Sequence, residues 1–242
     1  MSGSSQEHAP VSPQHPEPAI LAIEASQREL SVAVRARDGG VLVEHGEGDP
    51  RESDQLMPAI DRLVSRAGLV PRDLAAVAVS TGPGGFTALR ISIATAKGIC
   101  EALAIPAIDV PSAMVAAQAS ADPAVHARVD VALGCKGNGF WCTSLAWHDG
   151  RWRVEHEGAA DAESWSPAAP LLLADSHLPD AARTRAAARG VRIAEPALGA
   201  QACLAAADAL WRAGMAEDAM ALRPRYARVP EAVTLWKARQ GG

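Results

Sequence analysis

A run of seven apolar or small residues, Leu74 to Ser80, constrains the fold of this chain more than any other segment. Its sequence, LAAVAVS, lacks the polar alternation of a strand with one face in water, so it predicts a strand covered on both faces. Such strands occur in sheets that carry helices on either side, and the segment therefore favours an α/β fold. A chain of 242 residues is long enough for one large domain or two small lobes.

The segments around this strand predict the rest of a mixed sheet. The further strands are predicted at 19–23, 30–35, 41–44 and 105–110. The helices are predicted at 53–67, with Ser53 as its N-cap, at 87–103 and at 112–121. The pair Asp38-Gly39 between the second and third strands is a hairpin signal.

A change of composition near residues 121–123 predicts a boundary between two lobes. The predicted organisation is a disordered tail over 1–17, an N-terminal lobe over 18–121, a smaller C-terminal lobe over 122–228 and a tail or helix over 229–242. The second lobe is predicted to contain strands at 128–133, 140–147, 152–156 and 171–174, followed by helices at 180–189 and 201–213.

Composition excludes several classes of protein. The net charge of −5 disfavours a strongly basic clamp for nucleic acid. No apolar run reaches the ~18–20 residues that span a bilayer, so no membrane association is expected. The four cysteines form no C-x-x-C pair, and no two histidines lie four residues apart, which disfavours a zinc site. We expect a cytoplasmic, reduced protein without a metal or cofactor.

A glycine-rich turn joins the central strand to the helix at 87–103. One interpretation is a phosphate-binding turn formed by Gly82, Gly84, Gly85 and Thr87, because a helix N-terminus offers free N–H groups. The other is a tight turn for close strand–helix packing, with Thr87 as the helix N-cap. The segment matches neither the P-loop nor the G-x-G-x-x-G pattern.

The helix that follows this turn is apolar nearly all round. Leu89, Ile93, Ala96, Cys100 and Leu103 form one stripe at helical spacing, and Ile91, Ala94, Gly98 and Ile99 occupy much of the remaining surface. Such a helix is either buried in a core or packed against another subunit. The single charged residues Glu24, Arg90 and Lys97 are interpreted as solvated or ion-paired rather than catalytic.

Three segments resemble the TsaB (YeaZ) family. They are the first strand and its continuation, 20–26 (ILAIEAS); the long segment 80–114, beginning STGPGGFTALR; and 222–228 (LRPRYAR). Three departures stand out. The usual Ser and Gly of the turn are Gly85 and Ala88 here. Glu24 occupies a position where the family usually has Asp, and the stretch 133–141 differs from the usual opening of the second lobe.

The resemblance implies an actin-like (ASKHA, ribonuclease H-like) two-lobed α/β fold with a reduced second lobe. It also implies a role in forming threonylcarbamoyladenosine beside the anticodon of tRNA. In that family the protein is not the catalyst. It pairs with the metal-holding subunit TsaD, a small ATPase, TsaE, joins them, and tRNA is met only through the complex. A homodimer is expected when the chain is alone.

The family's pairing surface is built from the two helices of the first lobe. Carried onto this chain, it predicts interface residues Leu56, Met57, Ile60, Leu89, Ile93, Ala96, Lys97 and Cys100. The alternative function is an actin-like enzyme that itself uses ATP and holds phosphate at 82–85.

Overall fold

The computed structural model describes residues 18–27, 29–36, 38–46 and 55–227. Within these ranges the chain forms two sheets and five helices. The predicted tails and the predicted N-cap Ser53 lie outside the described residues.

The strands and helices follow the predicted order. The strands are β1 (Ala19–Glu24), β2 (Ser31–Arg35), β3 (Val41–His45), β4 (Leu74–Ser80), β5 (Ala107–Val110), β6 (Arg128–Lys136), β7 (Gly139–His148), β8 (Arg151–Asp161), β9 (Leu171–Ala174) and β10 (Arg192–Ala194). The helices are α1 (Leu56–Arg66), α2 (Phe86–Leu103), α3 (Ser112–Ser120), α4 (Asp180–Ala188) and α5 (Ala200–Arg212).

Both sheets have the same topology. The first has the order β3-β2-β1-β4-β5, and the second has the order β8-β7-β6-β9-β10. In each sheet the earliest strand is central, two antiparallel strands extend it on one side and two parallel strands extend it on the other. The two halves therefore repeat one plan without a sequence repeat of fixed period.

Helices and sheets alternate in five layers. Helices α1 and α2 cover one face of the first sheet, and α4 covers the outer face of the second. Between the sheets lie α3 and α5, which share one apolar core with residues of both sheets. Strand β4, between β1 and β5, is covered on both faces, which confirms the interpretation of its apolar sequence.

Helix α1 shows how an element of this fold is specified. Its buried residues, Leu56, Ala59, Ile60, Leu63 and Val64, recur at helical spacing and face the sheet. The helix ends at Arg66 with Ala67 as its C-cap, and Gly68 follows with φ +67°, the left-handed conformation that glycine adopts most easily.

The two largest differences from the sequence prediction lie in the second sheet. Strand β8 extends five residues past the predicted end at 156, and β10 was not predicted. Strand β8 lies at the sheet edge, so Glu155, His156 and Glu157 can stay exposed and its second half lacks apolar alternation. Strand β10 has only three residues, too few for a periodic signal.

Helix α5 falls in the predicted second lobe, yet it packs chiefly on strands of the first sheet. None of the helices in the described part of the chain is both long enough and apolar enough to cross a membrane.

Candidate protein-interaction face on the outer helices

The glycine-rich turn is a closely packed junction. The Gly82 N–H donates to Ser112 Oγ at 3.1 Å, and the Gly85 N–H donates to the Ser26 carbonyl at 2.8 Å. A Cβ on Gly84 would lie only 2.1 Å from that same Ser26 oxygen. Glycine is required because the loop after β1 lies directly against the turn.

This packing weakens the phosphate interpretation of the turn. Two of its three glycine N–H groups already have acceptors within the chain, and a carbonyl oxygen, which repels phosphate, lies against Gly84. The alternative role of Thr87 as N-cap is wrong. Helix α2 begins at Phe86, its N-cap is Gly85 and no side chain caps it.

Glu24 is buried beside this junction, which corrects the expectation of a solvated carboxylate. Its Oε1 accepts hydrogen bonds from the Ser26 N–H at 2.7 Å and the Ser26 hydroxyl at 2.6 Å. Its Oε2 is buried without a hydrogen-bond partner in the structure. Burial raises the pKa of Glu24, although the bonds from Ser26, and the nearby Ser80 hydroxyl, oppose the shift.

The structure separates the eight predicted interface residues into two groups. Met57 is 46% exposed and Lys97 is partly exposed. The other six are buried against the first sheet: Leu56, Ile60, Leu89, Ile93, Ala96 and Cys100. Their prediction as direct contacts is corrected, because a side chain covered by its own chain cannot touch a partner.

A second apolar strip lies on the opposite side of α2. Ile91 is 48% exposed, and Ala94 and Gly98 are exposed next to it at helical spacing. Phe86, which is 44% exposed, lies at the start of the helix and to one side of this strip. A Cβ on Gly98 would meet no atom within 4 Å, so the surface there is open and shallow. We call Met57 of α1 together with Phe86, Ile91, Ala94 and Gly98 of α2 the outer face.

An arginine clamp lies at one end of the outer face. The Arg90 guanidinium lies 3.9 Å from the centre of the Phe86 ring, and its Nε donates to the Tyr226 hydroxyl at 2.9 Å. The two aromatic rings are 5.1 Å apart. Cation–π contact and hydrogen bonding therefore hold Phe86 in place at the start of α2.

Sequence reasoning identified Ile91, Ala94 and Gly98 as surface-forming but missed Phe86, Arg90 and Tyr226 as one cluster. Phe86 and Arg90 lie four residues apart, the spacing of neighbours on a helix, and that signal was available. Tyr226 follows Arg90 by 136 residues, so no local pattern could connect them.

Three of the four thiols are held in their un-ionised form by burial. Burial raises the pKa of Cys100 to about 11 and that of Cys142 to about 12, and it raises the pKa of the fully buried Cys203 as well. No group of three His, Cys, Asp or Glu side chains suited to a metal ion occurs among the described residues.

Sequence comparison relates part of the chain to two protein families. The family model of TsaD, the tRNA N6-adenosine threonylcarbamoyltransferase, matches residues 24–130. The tRNA threonylcarbamoyladenosine biosynthesis protein TsaB of Escherichia coli K12 is 31% identical over 142 residues, which cover 58% of this chain and 61% of that protein. The chain thus spans less than two thirds of the length of the curated relatives that it matches.

Structural comparison covers more of the chain. A Pseudomonas aeruginosa protein described as similar to the peptidase YEAZ superposes with a TM-score of 0.71 at 24% identity, covering 87% of this chain and 99% of that one. YeaZ from the same organism gives 0.68 at 22% identity, with 86% and 99% covered. At such identities the match shows the fold, which includes both sheets. Sequence and fold together confirm the predicted resemblance: the chain is similar to TsaB (YeaZ) proteins and shares their α/β fold of two sheets.

Proposed function

We propose that this chain is a non-catalytic partner subunit in tRNA threonylcarbamoyladenosine biosynthesis and that it pairs through the outer face with a TsaD-like subunit. The observation that carries the proposal is the exposed apolar strip of α2. Large apolar side chains such as Phe86 and Ile91 gain free energy when a partner removes them from water. Grouped on one helix, they are typical of a protein-binding surface.

The shape of the outer face suits a partner helix. Ala94 and Gly98 leave a shallow strip between larger side chains, and small residues let a second helix approach closely. Helices α1 and α2 cover the same sheet face, so a partner can contact both and bury the ~1,200–2,000 Å² that specific pairs need.

The names of the relatives support the choice of partner. The Escherichia coli relative is called a tRNA threonylcarbamoyladenosine biosynthesis protein, and the matching family model is that of the transferase acting on the same nucleoside. We propose that a TsaE-like ATPase joins the pair in the cytoplasm and that tRNA is met only through the complex. The free chain then forms a homodimer through the same apolar face.

The competing function, an actin-like enzyme that uses ATP at 82–85, has less support. The Gly82 and Gly85 N–H groups are engaged inside the chain, and the Ser26 carbonyl lies where a phosphate would approach Gly84. These contacts favour a structural role for the turn.

The proposal is tested by mixing the chain with its cognate TsaD-like protein and measuring mass by size exclusion with light scattering. We expect a one-to-one complex at micromolar concentration. Ile91→Glu should weaken it by ~2 kcal/mol or more, about thirtyfold in Kd, because the new carboxylate would be buried without a partner. A change at Leu89 is unsuitable, since that side chain is in the core and a charge there would unfold the protein.

Val125→Glu is the matched control. Val125 is 68% exposed, lies outside α1 and α2 and undergoes the same chemical change, so this variant should bind like the unmodified chain. The absence of any wild-type complex would contradict the proposed function. Unchanged binding of Ile91→Glu would instead show that the partner binds elsewhere.

A further inference from the structure

The last described segment, residues 217–227, crosses from the first sheet to the second. At its start, Glu217 and Ala107 of β5 exchange two backbone hydrogen bonds of 2.8 and 2.9 Å. At its end, Ala227 lies against Gly134 of β6, so closely that a Cβ on Gly134 would lie 2.6 Å from that of Ala227. The segment is therefore in contact with both sheets.

Arg225 is the centre of this segment. Its backbone N–H donates to the Thr81 carbonyl at 2.7 Å, and its guanidinium donates to Asp109 Oδ1 at 2.7 Å and to the Thr81 hydroxyl. The same guanidinium forms an ion pair with Glu157 at 3.6 Å. Asp109 belongs to β5 and Glu157 to β8, so one cation joins a carboxylate from each sheet.

Beside each sheet, a glycine in the left-handed conformation allows the segment to approach closely. Gly82 has φ +105°, and a Cβ there would lie 2.5 Å from the Arg225 carbonyl oxygen. Gly134 has φ +65° and lies against Ala227. An L-residue at either position would collide with the segment, so the close approach explains why these positions are glycine.

We propose that residues 217–227 form a strap that fixes the two sheets relative to each other, with Arg225 as its positioning residue. The strap also reaches the outer face, because Tyr226 holds Phe86 and Arg90. Through these contacts of Tyr226, and through the contact of Arg225 with Gly82, the strap connects the start of α2 to the second sheet. This last connection matters for partner binding only through the proposed function, whereas the strap itself is a property of the free chain.

The test uses Gly134→Ala in the full-length chain. The added methyl group would collide with Ala227 and lift the strap from the side of the second sheet, leaving every residue of the first sheet unchanged. Amide hydrogen exchange followed by NMR should show the Arg225 N–H exchanging about tenfold faster or more, because its bond to the Thr81 carbonyl opens more often.

Gly137→Ala is the matched control. Gly137 has φ +57°, close to that of Gly134, but a Cβ there would meet nothing within 4 Å. It therefore carries the same backbone strain without the collision, and the Arg225 amide should keep its exchange rate. Equal exchange at Arg225 in both variants would overturn the strap.

A second pair of variants applies if Gly134→Ala fails to fold. Arg225→Gln removes the cation between Asp109 and Glu157, and Arg128→Gln removes an exposed arginine that pairs with Glu155 within the second sheet. Only the first should raise exchange both at Gly82 and in the neighbouring part of β8. Raised exchange in one sheet alone would contradict a connection between the two.

The binding of a TsaD-like protein tests the proposed function separately from the hydrogen-exchange test of the strap. If the unmodified chain binds no TsaD-like protein, the proposed function fails while the exchange measurement still decides the strap. If it does bind, Gly134→Ala should lower the affinity about threefold to tenfold through the Tyr226–Phe86 contact, and Gly137→Ala should not.

Discussion

Glu24 is the residue whose environment departs most from what a charged side chain needs. It is 1% exposed, and one carboxylate oxygen has two donors from Ser26 while the other has no partner in the structure. Burial therefore raises the free energy of the ionised form in the folded chain, which is the physical reason for the raised pKa of Glu24.

Glu24→Gln should stabilise the protein at neutral and alkaline pH. The folded chain binds the Glu24 proton more tightly than the unfolded chain does, so wild-type stability is full below the usual pKa of 4.5 and falls as the pH rises through the raised value. Glutamine cannot ionise. We expect a gain of ~1–3 kcal/mol at pH 8 and almost none at pH 4, measured by urea unfolding.

Glu44→Gln is a control whose effect on stability should change with pH in the opposite direction. Arg62 and Arg66 lower the pKa of Glu44, so its contribution is present above 4.5 and is lost as the pH falls through the lowered value. This substitution should cost at most ~1 kcal/mol at pH 8, as expected for a surface pair, and nothing at low pH. If the stability gained by Glu24→Gln did not depend on pH, the ionised carboxylate would not be destabilised by its burial, and this prediction would be wrong.

At the scale of elements, α2 shows what its sequence could and could not predict. Its bounds were predicted to within one residue, because the turn before it and its apolar character are local signals. The sequence alone did not show which face of α2 packs against the core. The stripe through Leu89 and Ile93 suited both a core and an interface, and only the position of the first sheet decides that it is core.

The end of α2 allows a stability test. Ala104 caps the helix with φ 55°, a conformation that costs alanine free energy and costs glycine little. Ala104→Gly should therefore raise the free energy of unfolding by ~0.5–1 kcal/mol in urea titrations. Ala102→Gly, two residues earlier inside the helix, should lower it by a similar amount. Destabilisation by both substitutions would contradict the left-handed cap.

At the scale of the whole molecule, the α/β class and the repeated hairpin were predictable from local patterns, and the resemblance supplied the two-lobed fold. The strap was not predictable. Arg225 meets Thr81 and Asp109 across more than 100 residues, and no periodicity or spacing records such a contact. Gly134 shows the same limit, since its neighbour Ala227 is distant in sequence.

The shared layer of α3 and α5 predicts that the two lobes unfold together. One apolar core contains residues of both sheets and both helices, so losing either lobe exposes the other. In a variant with Trp211 and Trp236 replaced by phenylalanine, tryptophan fluorescence reports only on Trp141, Trp147, Trp152 and Trp165 of the second lobe. In urea it should give the same midpoint as far-UV circular dichroism. Two separate midpoints would contradict the shared core.

The position of α5 also has a consequence for how the chain is made. Residues 128–194, which carry the whole second sheet, are synthesised before the helix at 200–212 that covers the inner face of the first sheet. During translation, this apolar face of the first sheet therefore stays exposed to water until the whole second sheet has left the ribosome. The first lobe therefore completes its core only when α5 has emerged, and until then the nascent chain exposes apolar surface of the kind that chaperones bind.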